Sequence, residues 1–278
     1  MTIQKQKKIF LSALSFTLKV ALGLLFISPL IICVLFSFQP EELIGKTPPT
    51  FFTNRPTLDH YRWVFQNISV LSYMKNSLVV CFITITCQVF FASLAAYAFA
   101  FFEFPGKSLL FTLILASMMI PGDIVIITNY AQIQKWGMTD KYIGLVLPHL
   151  ISGTAIFLMR QCYMTLPKDI KSAATIDGCG DIGFLFRIAM PLSIPSVASL
   201  SIYLFILIYN QYFWPLLVTN KDTMRTIQIG MAMLVSSERL EYGPLLAGAA
   251  TCILPVVIIF IFGQDYIVKG MTAGSVKG

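Results

Sequence analysis

An all-α integral membrane protein with six transmembrane helices is the fold class this sequence predicts. Three observations predict it. The 278 residues are 56% hydrophobic and only 12% charged, with a mean hydropathy of +0.77. A soluble domain carries about a quarter charged residues, and no soluble core of this size hides so much apolar surface. Nearly uncharged runs, each long enough for the ~20 helical residues that cross a hydrocarbon core, recur six times. The first run follows a purely basic N-terminus with Lys5, Lys7 and Lys8. Helices are expected because backbone groups in lipid must bond within their own segment.

The runs follow in order. Val20–Pro40 is uncharged, with Lys19 inside the helix or snorkelling from it. Asn76–Phe102 has no charge, and Ser108–Gln134 has only Asp123. Tyr142–Met159 is uncharged, Ile188–Asn220 is long enough for a re-entrant piece plus a span, and Tyr242–Gln264 is the sixth. No seventh run qualifies. The basic start imitates a signal peptide, but its apolar stretch is too long. Phe36-Ser37-Phe38 stands where a small-residue cleavage site belongs, so the segment is expected to remain as the first span.

A net charge of +7 in a soluble protein would suggest nucleic acid; here it is read as positive-inside bias, and no nucleic-acid partner is expected. An even number of spans puts both termini on one side. With that side cytoplasmic, ten Lys/Arg lie inside and nine outside, and the basic first segment sets the orientation as N-in and C-in. Gln39–Lys75 and Thr219–Glu241 are then outside, and Thr165–Arg187 is inside.

Several patterns imitate chemistry. The six cysteines contain no CxxC and no metal spacing, so no metal or other cofactor is expected. Gly178-Cys-Gly-Asp-Ile-Gly183 matches a dinucleotide fingerprint but lacks the strand and βαβ unit that give it meaning. Gly45-Lys-Thr47 and Gly106-Lys-Ser108 end like a phosphate loop, yet Pro40 and Phe101 occupy the leading glycine positions. His60 and His149 have no Ser-His-Asp or metal pattern around them and read as packed histidines. No catalytic residue is assigned.

The inside loop carries the most specific pattern. In Thr165-Leu-Pro-Lys-Asp-Ile-Lys-Ser-Ala-Ala-Thr-Ile-Asp-Gly178, Thr165 is a plausible cap, Pro167 suits a first turn, and Asp169 suits the positive helix end. Gly178 suits the position after the helix. A helix over Pro167–Asp177, roughly 16 Å long, is expected, with Ala173 and Ala174 as a face of close approach. The loop continues to Ile188 and Pro191.

This loop resembles that of binding-protein-dependent ABC transporter permeases, E-A-A-x-x-x-G followed after nine residues by I-x-L-P. The matching positions are Ala173, Ala174, Gly178, Ile188 and Pro191, with Asp177 as in the carbohydrate, maltose-permease-like branch. Ser172 replaces the usual Glu, and Met190 the usual Leu. Ala95-Ala-Tyr-Ala-Phe-Ala100, Met119-Ile-Pro-Gly122, Tyr142-Ile-Gly-Leu-Val-Leu-Pro148, Asn210-Gln-Tyr-Phe-Trp-Pro-Leu217 and Val268-Lys-Gly270 extend the resemblance. Phe157-Leu-Met-Arg-Gln161, Met164-Thr-Leu-Pro167 and Asn210-Gln-Tyr212 are most similar to the second permease subunit of sn-glycerol-3-phosphate importers.

The resemblance implies a type I ABC importer permease in a bacterial inner membrane. It implies a cytoplasmic N-terminus at 1–12, a first span at 13–38, an outside loop at 39–75, a permease core at 76–264 and a cytoplasmic tail at 265–278. Within the core, the loop at 165–191 holds a coupling helix that docks in an ATPase cleft. Implied partners are a homologous second permease, two ATPase subunits, an extracytoplasmic solute-binding protein and the lipid bilayer. The implied activity is import of a carbohydrate-type solute, sn-glycerol 3-phosphate or a sugar, without catalysis by this chain. Polar groups in spans are costly and mark pathways or interhelical bonds. Asn210, Gln211, Tyr212, Trp214 and Asn129 are read as pathway candidates, Gln88 as an interhelical bond, and Asp123 as lying in a broken helix or at an interface. The rival classes are a secondary transporter, which usually shows repeats or buried ion-coupling charges, and a membrane-embedded enzyme.

Overall fold

Backbone groups that enter lipid must find partners in their own segment, and the structure satisfies them with helices. The computed structural model describes residues 2–235 and 241–272, and every regular element among them is helical. The chain forms two units, Met1–Ser69 with Met231–Ile253, and Val70–Gly230 with Leu254–Gly278.

The first unit begins with α1 (Thr2–Ser37), which starts well before the expected boundary of the first span. Its end is tied by the Ser37 hydroxyl to the Tyr61 hydroxyl of α2 (Asp59–Asn67), at 2.7 Å. His60 is buried and donates from Nε2 to the Gln39 carbonyl at 2.8 Å, so it is a packed histidine as read from the sequence. Glu41 receives the backbone N–H groups of Tyr242 and Gly243 at 2.9 and 2.8 Å. These are among the first donors of a helix and lack intrahelical acceptors, so a carboxylate there is stabilising.

In the second unit α3 (Val70–Phe101) is the central helix. It is followed by α4 (Lys107–Ser117), α5 (Ile126–Lys135), α6 (Tyr142–Val146) and α7 (Gly153–Met164). The loop elements are α8 (Lys168–Ile176), α9 (Asp181–Phe184) and α10 (Met190–Leu192). Then come α11 (Ile194–Tyr209), α12 (Phe213–Val218), α13 (Ile227–Val235) and α14 (Tyr242–Thr272), the last two shared with the first unit. α3 packs on α7 and α11. Ala92, Ser93 and Ala96 are essentially unexposed on α3, as are Ala155, Met159 and Tyr163 on α7. Small residues let helix backbones approach where lipid gives no hydrophobic incentive to associate.

Among the described residues, three helical segments are long and apolar enough to cross a membrane: Phe10–Ser37, Val70–Phe101 and Tyr242–Ile267. The other three expected runs are bent pairs. Lys107–Ser117 and Gly122–Lys135 meet at 85°, Tyr142–His149 and Gly153–Met164 at 54°, and Asp181–Leu192 and Ile194–Tyr209 at 78°. The first and third breaks fall in the runs read from sequence as a broken helix near Asp123 and as a re-entrant piece plus a span; the bend after His149 was not expected. Pro121 and Pro148 stand at or beside the first two breaks, and Pro191 and Pro195 flank the third at Ser193. Proline removes a backbone donor and clashes with the preceding turn, so it breaks what hydropathy reads as one run. Asp123 is exposed in the first break, as its position after Pro121-Gly122 suggested. Of the expected tail at 265–278, residues up to Thr272 end α14; residues 273–278 lie outside the described residues, as do 236–240 of the second outside loop.

Candidate functional site

The loop between α7 and α11 is built from its caps. Thr165 does not start α8; its hydroxyl donates to the Cys162 carbonyl at 2.7 Å and closes α7. Pro167, with ψ 131°, turns the chain into α8, which is nine residues long and shorter than expected at both ends. Asp169 lies in its first turn. Gly178 follows the helix with φ +79°. The Cys179 N–H reaches the Ala174 carbonyl at 2.9 Å, and the Gly178 N–H reaches Thr175 at 3.1 Å. This pair of bonds is the Schellman closure, and it requires the left-handed residue that glycine supplies without strain.

The exposed side of α8 carries Asp169, Ser172, Ala173 and Ile176, with Asp177 exposed at the helix end; Ile176 is 86% exposed. Ala174 is turned inward and buried. Ala173 and Ala174 therefore do not share one outward face, which corrects the expected close-approach surface. Consecutive helix positions point about 100° apart, and the protein's own core already covers the second. Ile188 is half-buried in a widened turn at Leu185–Ala189, and Pro191 is exposed just beyond it. Both belong to the bend that leads into α11.

Lys171 joins the loop to the end of α3. Its ammonium lies 3.2 Å from the Asp181 carboxylate and over the rings of Phe102, Tyr97 and Phe101 at 4.7, 5.1 and 5.2 Å. The Tyr97 hydroxyl donates to the same carboxylate at 2.8 Å. Phe184 of α9 is buried and meets Phe101 edge-on at 5.6 Å.

The pathway candidates separate. Trp214 is buried, donates from its indole nitrogen to the Leu145 carbonyl at 3.1 Å, and meets His149 edge-on. It joins α12 to α6, because a buried indole N–H must find an acceptor. Gly144 lets α6 lie close to the Met138 carbonyl, with which a Cβ would collide. Asn210 is exposed at the end of α11, donates to Ile206 at 2.9 Å and accepts from Gln228 at 3.2 Å. Gln211 and Tyr212 are half-buried in the break before α12. Gln88 donates to the His149 carbonyl, the interhelical role read from sequence.

Asn129 lines a recess of about 270 Å³ with Gln132, Ile133, Trp136, Leu147 and Pro148. Asn210, Gln211, Tyr212 and Trp214 do not line it. Trp136 is 53% exposed, so its ring is available beside two amides. Sequence reading missed Gln132 and Trp136. The signal was there: 129, 132, 133 and 136 fall at helical spacings that share one face.

Residues 61–273 match the family described as binding-protein-dependent transport system inner membrane component. The chain is 34% identical to an arabinooligosaccharides transport system permease protein of Halalkalibacterium halodurans over 253 residues, covering 90% of this chain and 91% of that one. The Bacillus subtilis (strain 168) protein of the same description is 32% identical, covering 92% of each chain. An sn-glycerol-3-phosphate transport system permease protein of Brucella abortus (strain 2308) is 35% identical, covering 73% of each. Among solved structures, a chain from a bacterial ABC transporter involved in import of the acidic polysaccharide alginate superposes with a TM-score of 0.79. It is 18% identical and covers 94% of this chain and 97% of its own, a likeness of fold. A bacterial alginate ABC transporter in complex with an alginate pentasaccharide-bound periplasmic protein gives 0.67 at 15% identity, covering 95% and 96%.

Proposed function

Because the chain belongs to the family of binding-protein-dependent transport system inner membrane components, we propose that it is one permease of an ATP-driven importer that passes a neutral oligosaccharide into the cell by alternating access. The observation that carries this reading is α8. It is a capped helix on a loop between two apolar bent pairs, and it presents Ser172, Ala173 and an uncovered Ile176 outward. Ile176 is 86% exposed, so this outward side is open to a partner. In this reading its cover is a cleft of an ATPase subunit, so the loop is cytoplasmic, the three bent pairs complete six crossings, and both termini lie inside. A homologous second permease, two ATPase copies and an extracytoplasmic solute-binding protein complete the machine. This chain supplies no catalytic group; ATP is hydrolysed by the partner.

The recess supports this choice of substrate class. Sugars are held by aromatic faces and neutral amides, which Trp136, Asn129 and Gln132 offer. A phosphate ester calls for Arg, Lys or a helix N-terminus, and the recess lining contains no charged side chain. The greater coverage of the arabinooligosaccharide relatives supports the same choice.

The test is uptake by the complete complex in proteoliposomes, with arabino-oligosaccharides, other oligosaccharides and sn-glycerol 3-phosphate offered in turn. Oligosaccharide uptake is expected, and Trp136→Ala is expected to lower it while ATPase attachment is retained. Uptake of sn-glycerol 3-phosphate alone, insensitive to Trp136→Ala, would move the reading to the phosphate ester.

A further inference from the structure

We infer that Lys171 is the positioning residue through which movement of the loop helix reaches the membrane helices, and that it acts by clasping α8 to the end of α3. The inference rests on the reading of α8 as a coupling helix. It begins from how few ways a push on α8 can travel. At one end the helix is entered through Leu166 and Pro167. At the other the chain leaves through Gly178, where even an added Cβ would meet nothing within 4 Å. The bonds at that end, to Ala174 and Thr175, close α8 on itself and tie it to no other helix. Side chains must carry the load.

Inward from α8 point Ala174 and Lys171, with Ile170 half-buried beside them. Ala174 is buried but small, and a methyl group resists compression without resisting rotation. Lys171 is different. It lies one turn earlier, and its ammonium is held from several directions. Phe102, Tyr97 and Phe101 surround it at 4.7 to 5.2 Å, within the range where a cation is attracted to a ring face. Asp181 holds it at 3.2 Å from the first turn of α9. The Tyr97 hydroxyl binds the same carboxylate oxygen at 2.8 Å. One side chain thus closes a triangle between α3, α8 and α9. The lysine side chain is 24% exposed and that of Asp181 52%.

The arrangement resists displacement in both directions. Pulling α8 away from α3 separates charge from rings and carboxylate. Sliding it along α3 moves the ammonium off the aromatic cup, which is made by residues one turn apart, Tyr97 and Phe101, and by Phe102. Phe184 fixes α9 against the same rings, so α8 and α9 move with α3 as one body. Without the clasp, α8 keeps its outward face and can still be occupied by a partner, but it loses this tie to α3. Hydrolysis would then proceed with less movement passed on.

The experiment compares solute taken up per ATP hydrolysed in proteoliposomes holding the complete complex. Lys171→Met keeps the stem and removes the charge. It is expected to lower that ratio about fivefold or more, in the range of ordinary coupling energies, with permease level and ATPase attachment unchanged. Lys171→Arg, still cationic and able to stack on rings, is expected to recover most of it, and Asp181→Asn to fall between. A purely structural role would lower permease level and leave the ratio intact. A wild-type ratio in Lys171→Met overturns the inference, as does an equal loss in Lys171→Arg. If Lys171→Met does not insert, Asp181→Asn carries the test, and a wild-type ratio there overturns it. If the wild-type chain itself binds no ATPase subunit, the proposed function fails, a result distinct from failure of the clasp.

Discussion

Gly178 shows how one backbone angle can carry a functional prediction. Its φ of +79° lies where a Cβ meets its own backbone, yet no neighbouring atom would touch an added Cβ. The cost of substitution is therefore conformational and local, about 1–2 kcal/mol for a residue with Cβ, and larger for a branched one. Gly178→Val is expected to open the Schellman closure at Ala174 and Thr175 while leaving the buried core of the unit untouched. Insertion should be normal, and ATPase subunits should wash from membranes more readily, with solute-stimulated hydrolysis reduced. Gly178→Asn should lose less, because Asn tolerates the left-handed region. Co-purification of the ATPase at fixed permease level measures both. Full attachment and full stimulated hydrolysis in Gly178→Val would mean that the cap has no part in coupling.

The loop helix α8 turns a family-like pattern into two different surfaces. Ala173 faces out and Ala174 faces in, so adding the same bulk at each should fail for different reasons. Ala174→Leu overpacks a core position, where extra methylenes cost about 1–3 kcal/mol. Its effect should appear as a lower yield of folded permease and a lower melting temperature in detergent. Ala173→Leu should fold normally and instead hold the partner off, lowering ATPase attachment and transport together. Thermal unfolding and co-purification separate the two. If both variants lose stability equally, the orientation of α8 described here does not hold. Ser172 is exposed on the same outward side, where the family usually has Glu, and Ser172→Glu should preserve or strengthen attachment.

The large exposed apolar side chains of α3 and α14, such as Leu71, Phe82 and Phe262, make sense only against lipid or an apolar partner. Six crossings are proposed when each bent pair is counted once, and that count fixes which loops share a side. Single cysteines at Ser172 and Thr50 should then label from opposite faces, Ser172 from the cytoplasm and Thr50 from outside. Labelling in right-side-out and inside-out vesicles, in a background lacking the six native cysteines, reads this directly. Both sites accessible from the same face would change the crossings between them by an odd number, and labelling of Ser172 from outside would remove the cytoplasmic placement of α8.

Hydropathy along the chain was enough to announce helices and a membrane, because span length and charge avoidance are one-dimensional constraints set by the bilayer. The end of α8 at Gly178 was legible for a similar reason, since a left-handed cap is a local matter between a few consecutive residues. So was the packed state of His60, which had no chemical neighbours in sequence. Tertiary structure decided the rest. The break beside Pro148 was hidden in a run whose hydropathy stays high through a bend, and the angles of all three needed the fold. Ala174 and Ala173 look alike as letters; only what packs beneath the helix gives one to the core. The bond from Trp214 to Leu145, 69 residues away, exists only in the fold. Trp136, unmarked in the sequence, stands exposed beside Asn129 and Gln132 because its helix turns that face to a recess. The clasp of Lys171 depends on Tyr97 and Asp181, which lie 84 residues apart. Local geometry and solvent preference are written residue by residue, whereas direction and partnership exist only once distant segments meet.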